Sequence, residues 1–173
     1  MVTVWPGVNG KKLTKKQIYN FKSAYKLYEI LFEAYKNEPP IDVDNEFWKN
    51  RVIQAFNGQV YFNLPTNQET LYSKKISENA LGLKRPTKEH FHPRRAWVKW
   101  RLLDIPKKVT FEVFFDLYCK EGGKYHKTTK EENSDLETWH HDRGDPKPTR
   151  KIAEQAYMET NITLVDDPKF KGL

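Results

Sequence analysis

The stretch Thr87–Arg95, "TKEHFHPRR", governs how the rest of the chain is read. It sets His90 and His92 two residues apart, behind Glu89 and ahead of Pro93 and the pair Arg94 and Arg95. The first eighty-nine residues contain no histidine, and the remaining three of the five, His126, His140 and His141, all lie downstream. Proline lacks the N–H that a strand ladder needs, so "LKRPTKEHFHP" reads as a short strand entering a loop and stopped by Pro93. Neighbouring strand residues point to opposite faces. Glu89 and His90 therefore share a site only where the strand ends or twists, and Pro93 supplies such an ending.

Downstream, "RRAWVKWRLLDI" (94–105) reads as helix closed by Pro106. "VTFEVFFDLYCKEGG" (109–123) reads as a helix capped by Thr110 and stopped at Gly122–Gly123, "KYHKTT" (124–129) as a strand, and "KEENSDLETWHHDRG" (130–144) as a helix closed by Gly144. A last helix starts at Thr149, and the tail from Asn161 reads as an arm or a loosely packed edge.

Upstream, residues 14–37 form an amphipathic helix capped by Thr14, with Ile18, Phe21, Tyr25, Tyr28, Phe32 and Tyr35 recurring every three or four residues. "EPPIDVD" breaks it, and Asp44 caps a second helix that runs to Gly58. "QVYFNL" (59–64) reads as a strand, "PTNQE" as a turn, and "TLYSKKISENALG" (70–82) as a third helix. Most of the aromatic residues of these helices are expected to be core. The expected fold is α+β and mainly helical, with a small antiparallel β-ribbon. Three regions are expected: a basic helical part (1–83), a core (84–146) with a helical insertion at about 95–123, and a C-terminal helix and tail (147–173).

Composition narrows the function classes. A chain of 173 residues can bury a core without disulfides, and its single cysteine, Cys119, permits no internal one. The aromatic content of 14% argues against disorder. No apolar run is long enough to span a bilayer and the N-terminus lacks the order of a signal peptide, so the expectation is a cytoplasmic protein without membrane partners. The net charge of +7 and pI near 9.3 favour a polyanionic partner, nucleic acid first. The exposed lysines Lys11, Lys12, Lys15, Lys16, Lys22, Lys74 and Lys75 are candidates for phosphate contacts or are simply solvated charges.

Phosphodiester hydrolysis needs a base near neutral pKa, which suits histidine, and a cation at the leaving oxygen, which a single divalent metal can supply. Glu89 and His90, followed by Asn133, His140, His141 and Asp142, offer that set in order. Acid–His–x–x–Pro–Arg, then Glu–Asn–x–x–Leu, then His, resembles the HNH nucleases of the ββα-metal superfamily, and phage-encoded free-standing homing endonucleases in particular. The likeness covers about residues 86–144.

It implies a ββα-metal core with a metal-binding helix, and a site-specific endonuclease, homing- or restriction-like, that cuts double-stranded DNA to 5′-phosphate and 3′-hydroxyl ends. His90 would be the general base, oriented by Asn133 through its backbone carbonyl. Glu89 and either His141 or His140 would hold one Mg²⁺ or Mn²⁺. Spacing alone leaves Asp142 as an alternative helical ligand. No flanking cysteine knuckles are present, so no structural zinc is expected. If phage-encoded, the protein would act in the bacterial cytoplasm, as monomer or homodimer. Arg94, Arg95, Lys99 and Arg101, with Lys107 and Lys108, would line a DNA cleft. His92 is either DNA-facing or exposed, and His126 a packing histidine.

Three rivals remain. A nucleic-acid-binding protein without catalysis shares every basic feature. A PD-(D/E)xK nuclease needs an acid–x–Lys spacing that "FEVFFDLYCKEGGKY" does not supply. A structural zinc site built of four imidazoles would be unusual.

Overall fold

The computed structural model describes residues 14–60, 64 and 71–170. Helix α1 (Lys15–Lys36) opens with a capping box in which Thr14 accepts from the Gln17 amide and the Gln17 side chain accepts from the Thr14 amide. It buries Phe21, Ala24, Tyr28, Phe32 and Tyr35; of the stripe expected from the sequence, Ile18 and Tyr25 are half-buried. Helix α2 (Asn45–Ala55) is capped by Asp44 and runs into a π-helical turn, Phe56–Val60.

Strand β1 (Tyr72–Ser77) is followed by β2 (Thr87–His90), α3 (Arg94–Val98) and α4 (Phe111–Leu117), each of these two helices prolonged by a π-helical turn. Then come β3 (Tyr125–Thr128), α5 (Lys130–Asp142), α6 (Arg150–Glu159) and β4 (Leu164–Asp166). The sheet order is β2-β3-β1-β4. β2 and β3 are antiparallel, β1 and β3 parallel, and β1 and β4 antiparallel.

The protein is α+β and mainly helical, as expected, and the antiparallel pair is present. That pair is half of a four-stranded mixed sheet, not a free ribbon. The stretch expected to be a third helix is instead β1 followed by a 3-10 turn, Glu78–Ala80. Its apolar Leu71, Tyr72 and Ile76 fit a helical period, but pairing with β3 and β4 decides the outcome. A bulge with Lys74 at φ 63° adapts β1 to β3. Of the expected strand 59–64, Gln59 and Val60 belong to the π-helical turn and residues 61–63 lie outside the described residues, as do Lys11, Lys12 and the "PTNQE" turn. The tail supplies the edge strand β4. The sheet therefore crosses the boundary expected near residue 83.

Two cores flank the sheet. The larger joins α1, α2, α3, α4 and the rings of Tyr72 and Tyr125, with Trp97, Tyr118, Phe56 and Phe114 wholly buried. The smaller joins α5 and α6 through Leu136, Trp139, Ala156 and Tyr157, with Phe91 packed against it. No helix among the described residues is long and apolar enough to cross a membrane.

Candidate functional site

Helix α5 follows β3 directly and lies against β2, and its placement is fixed at both ends. At the start, Glu132 closes a capping box with Thr129 and accepts from the Ser77 hydroxyl and the Asn79 amide, tying α5 to the end of β1. Beyond its end, Asp145 accepts from Arg95 and its carbonyl accepts from the Trp100 indole, tying the segment to α3. One face of α5, with Asn133, Leu136, Glu137, His140 and His141 at helical spacing, therefore turns toward the end of β2.

Between them lies a cleft of about 500 Å³. Glu89, His90 and Arg94 form its other wall, and Asn57 reaches it from the turn after α2 with a buried Oδ1 that has no hydrogen-bond partner among the described residues. The structure thus brings Glu89, His90, Asn133, His140 and His141 to one cleft although β2 and α5 are some forty residues apart in sequence.

The electrostatics are those of a dry wall. His90 is buried, and burial first, then the nearby Arg94 guanidinium, pushes its pKa down to about 3. Its ring bonds to the backbone of Lys124 and Gly122, which opposes that shift. These backbone groups, from the turn before β3, hold the ring. The Asn133 side chain donates to Glu137. Gly122 can sit there because it lies against the Trp97 ring, where a Cβ would come within 2.5 Å.

The Glu89 carboxyl accepts from the Tyr157 hydroxyl of α6. Burial, with the Glu137 charge adding to it, pushes its pKa up to about 8 against the pull of the Tyr157 bond, so the carboxyl is largely neutral near pH 7.

The two candidate imidazoles on α5 differ sharply. His140 is buried, its Nδ1 has no partner among the described residues, and burial pushes its pKa down to about 4. The His141 side chain is 89% exposed, with the Asp142 carboxylate 3.7 Å from its Nδ1. Sequence reasoning missed Glu137 and Asn57. Glu137 was legible as the residue four past Asn133 and three before His140.

Among the described residues no group of three or more His, Cys, Asp or Glu side chains is placed to hold a metal ion. Magnesium needs fewer protein ligands, one or two carboxylates with waters and phosphate oxygens completing an octahedron. Glu89, Glu137 and the unpartnered Nδ1 of His140 line the same cleft, and the Glu137 charge adds to the rise of the Glu89 pKa.

Of the basic residues expected at the lip, Arg94 and Arg95 both line the cleft. Arg94 borders the cleft beside His90. Arg95 is engaged by Asp145 at 2.5 Å and Asn50 at 2.8 Å. Arg101 meets Glu121 at 3.0 Å as a charge pair that is not aligned as a hydrogen bond, and Lys108 meets Glu29 at 3.4 Å. The Lys99 ammonium lies over the Trp100 ring. His92, expected to be exposed or DNA-facing, is buried against Phe91. His126 is a packing histidine whose Nδ1 shares a 2.5 Å hydrogen bond with the Ser73 hydroxyl. Comparison with protein-family models, curated proteins and solved structures returns no match to this chain.

Proposed function

We propose that this protein is a DNA endonuclease of the HNH, ββα-metal kind, hydrolysing phosphodiester bonds with one divalent metal ion and His90 as general base. The observation that carries the reading is the shared cleft. An antiparallel strand pair followed at once by a helix brings an acid–histidine pair, an arginine and a buried helical imidazole together from two separate stretches of chain.

His90 is neutral at physiological pH and can accept a proton from water; its ring is held by the carbonyls before β3. Its low basicity belongs to a cleft without substrate, since a bound phosphodiester brings negative charge beside Arg94 and raises the imidazole pKa. Arg94 holds the phosphate, and Asn133 and Glu137 shape the opposite wall. Glu89 with His140 or Glu137 would hold the magnesium or manganese ion, which would supply Lewis acidity at the leaving O3′. Products are a 5′-phosphate and a 3′-hydroxyl.

A DNA-binding protein without catalysis is the second reading. It draws on the Glu89–Tyr157 bond, which occupies the carboxyl that would have to ligate.

The test is plasmid cleavage, with DNA from the source genome as insert, by wild type and His90→Ala in magnesium, manganese or EDTA. Metal-dependent nicking or linearisation lost in the variant supports the endonuclease. Tight binding without cleavage in any metal supports the second reading, and full activity in His90→Ala removes His90 from the chemistry.

A further inference from the structure

A second cavity of about 320 Å³ is lined by Lys84, Lys88, Lys127 and Lys169 around one carboxylate, Asp167. Lys88 borders this cavity and the catalytic cleft alike. We propose that this lysine cavity is a binding site for the DNA backbone, taking the phosphates that flank the one presented to His90. The assignment to DNA rests on the endonuclease reading.

Strand register concentrates the charge. Lys88 and Lys127 are directly opposite each other on β2 and β3. Like charges so placed repel and weaken the pair. Asp167 pairs with Lys127 at 2.8 Å, and it is itself buried and also accepts from the Tyr72 hydroxyl. A fold that keeps such a repulsion, where a threonine or valine would serve the strand better, has a use for it elsewhere.

The cations are also preorganised. The Tyr72 and Tyr125 rings stack at 5.3 Å, and the two ammoniums stand over them, Lys127 at 4.2 Å from the Tyr72 ring and Lys88 at 5.1 Å from that of Tyr125. The rings hold both cations in place by cation–π attraction, so little side-chain freedom is lost when an anion arrives. Lys84 and Lys169 enter from the loop before β2 and the 3-10 turn after β4, both exposed, and no ion pair among the described residues engages either ammonium.

Four cations against one carboxylate suit an extended anion better than a single small one. Because Lys88 stands on the shared rim, a strand leaving the cleft meets this cavity next.

The test is fluorescence anisotropy of a labelled DNA duplex of arbitrary sequence in EDTA, where no cleavage occurs. Wild type is compared with Lys84→Glu/Lys169→Glu and, as control, with Lys22→Glu on α1. The double variant should bind at least tenfold more weakly, and the slope of log affinity against log salt should fall by about 0.9 for each phosphate no longer neutralised. Unchanged affinity and slope, or an equal loss in the control, would overturn the site. So would displacement of the duplex by inorganic phosphate at constant ionic strength, which would mark a small-anion site.

Thermal melts confirm that the variants fold; both altered lysines are exposed. The outcome is separable from the catalytic reading. Lysine-dependent binding without metal-dependent cleavage keeps this site and removes the nuclease. Cleavage that needs His90 but is indifferent to these lysines does the reverse.

Discussion

The hydroxyl of Tyr157, on α6, donates a hydrogen bond to the carboxyl of Glu89, at the end of β2, and both side chains are buried. The bond favours the ionised carboxylate, yet burial outweighs it and leaves the pKa pushed up to about 8. In the unfolded chain the carboxyl titrates near 4.5. Between these values the folded protein holds a proton that the unfolded chain has released. The stability from the neutral carboxyl is whole below the lower value and is lost as pH rises through the upper one.

Glu89→Gln cannot ionise, so in EDTA it should gain on wild type as pH rises from about 5 to about 9, by on the order of a few kcal/mol. Urea denaturation across that range measures the difference. Parallel curves for the two proteins would show that Glu89 does not carry this proton.

The histidines act with the opposite sign. Burial holds His90 near 3 and His126 and His140 near 4, against an ordinary 6.5. The unfolded chain therefore takes up protons first. The stability from the neutral rings is whole above 6.5 and is lost as pH falls through the folded values. His126→Gln should flatten the dependence of unfolding free energy on pH between about 4 and 6 by up to one proton, whatever its effect on stability at neutral pH. An unaltered slope would mean that His126 titrates normally in the folded protein.

Gly122 sets the third expectation. A Cβ there would meet the Trp97 ring at 2.5 Å, and Trp97 is fully buried with no room to retreat. Gly122→Ala should cost about 1–3 kcal/mol, the range for overpacking a filled core. It should also displace the carbonyl that holds His90. Gly58 has open space around its would-be Cβ, and Gly58→Ala should change stability by well under that amount. Thermal melts of the two variants compare them directly, and equal melting temperatures would refute the close approach at Gly122.

Much of this was legible because local signals and tertiary outcome agree. Thr14 and Thr129 each open a capping box, and the stripe from Phe21 to Tyr35 is the buried face of α1. The order of β2, β3 and α5 was readable from Pro93, the Gly122–Gly123 stop and Gly144. Strand β1 was not, because "YSKKIS" has no alternation strong enough to outweigh its helix-compatible spacing, and only its partners β3 and β4 make it a strand. Spacing could place His140 and His141 together at the end of α5. It could not say which faced inward, since that depends on the rotation of the helix against β2. The role of Gly122 in orienting His90 was invisible for the same reason, being a contact across thirty-two positions of chain.

Arg94 and Arg95 are neighbours in sequence that both border the cleft, and one pair of variants tests whether their duties differ. The Arg95 guanidinium spans Asp145 and Asn50, joining the segment after α5 to α2. Its side chain is 38% exposed, so solvent screening limits the value of these bonds to about 1 kcal/mol. Arg94 borders the cleft and depresses the His90 pKa. Arg95→Ala should lower the melting temperature by a few degrees, the shift expected of about 1 kcal/mol in a domain of this size, and leave the affinity for duplex DNA nearly unchanged. Arg94→Ala should weaken DNA binding several-fold and raise the His90 pKa by removing the like charge beside it. Anisotropy and thermal melting on both variants, with imidazole titration by NMR for Arg94→Ala, measure these effects. If Arg95→Ala lost as much DNA affinity as Arg94→Ala at an unchanged melting temperature, both arginines would belong to the binding surface and the Asp145 pairing would yield to DNA.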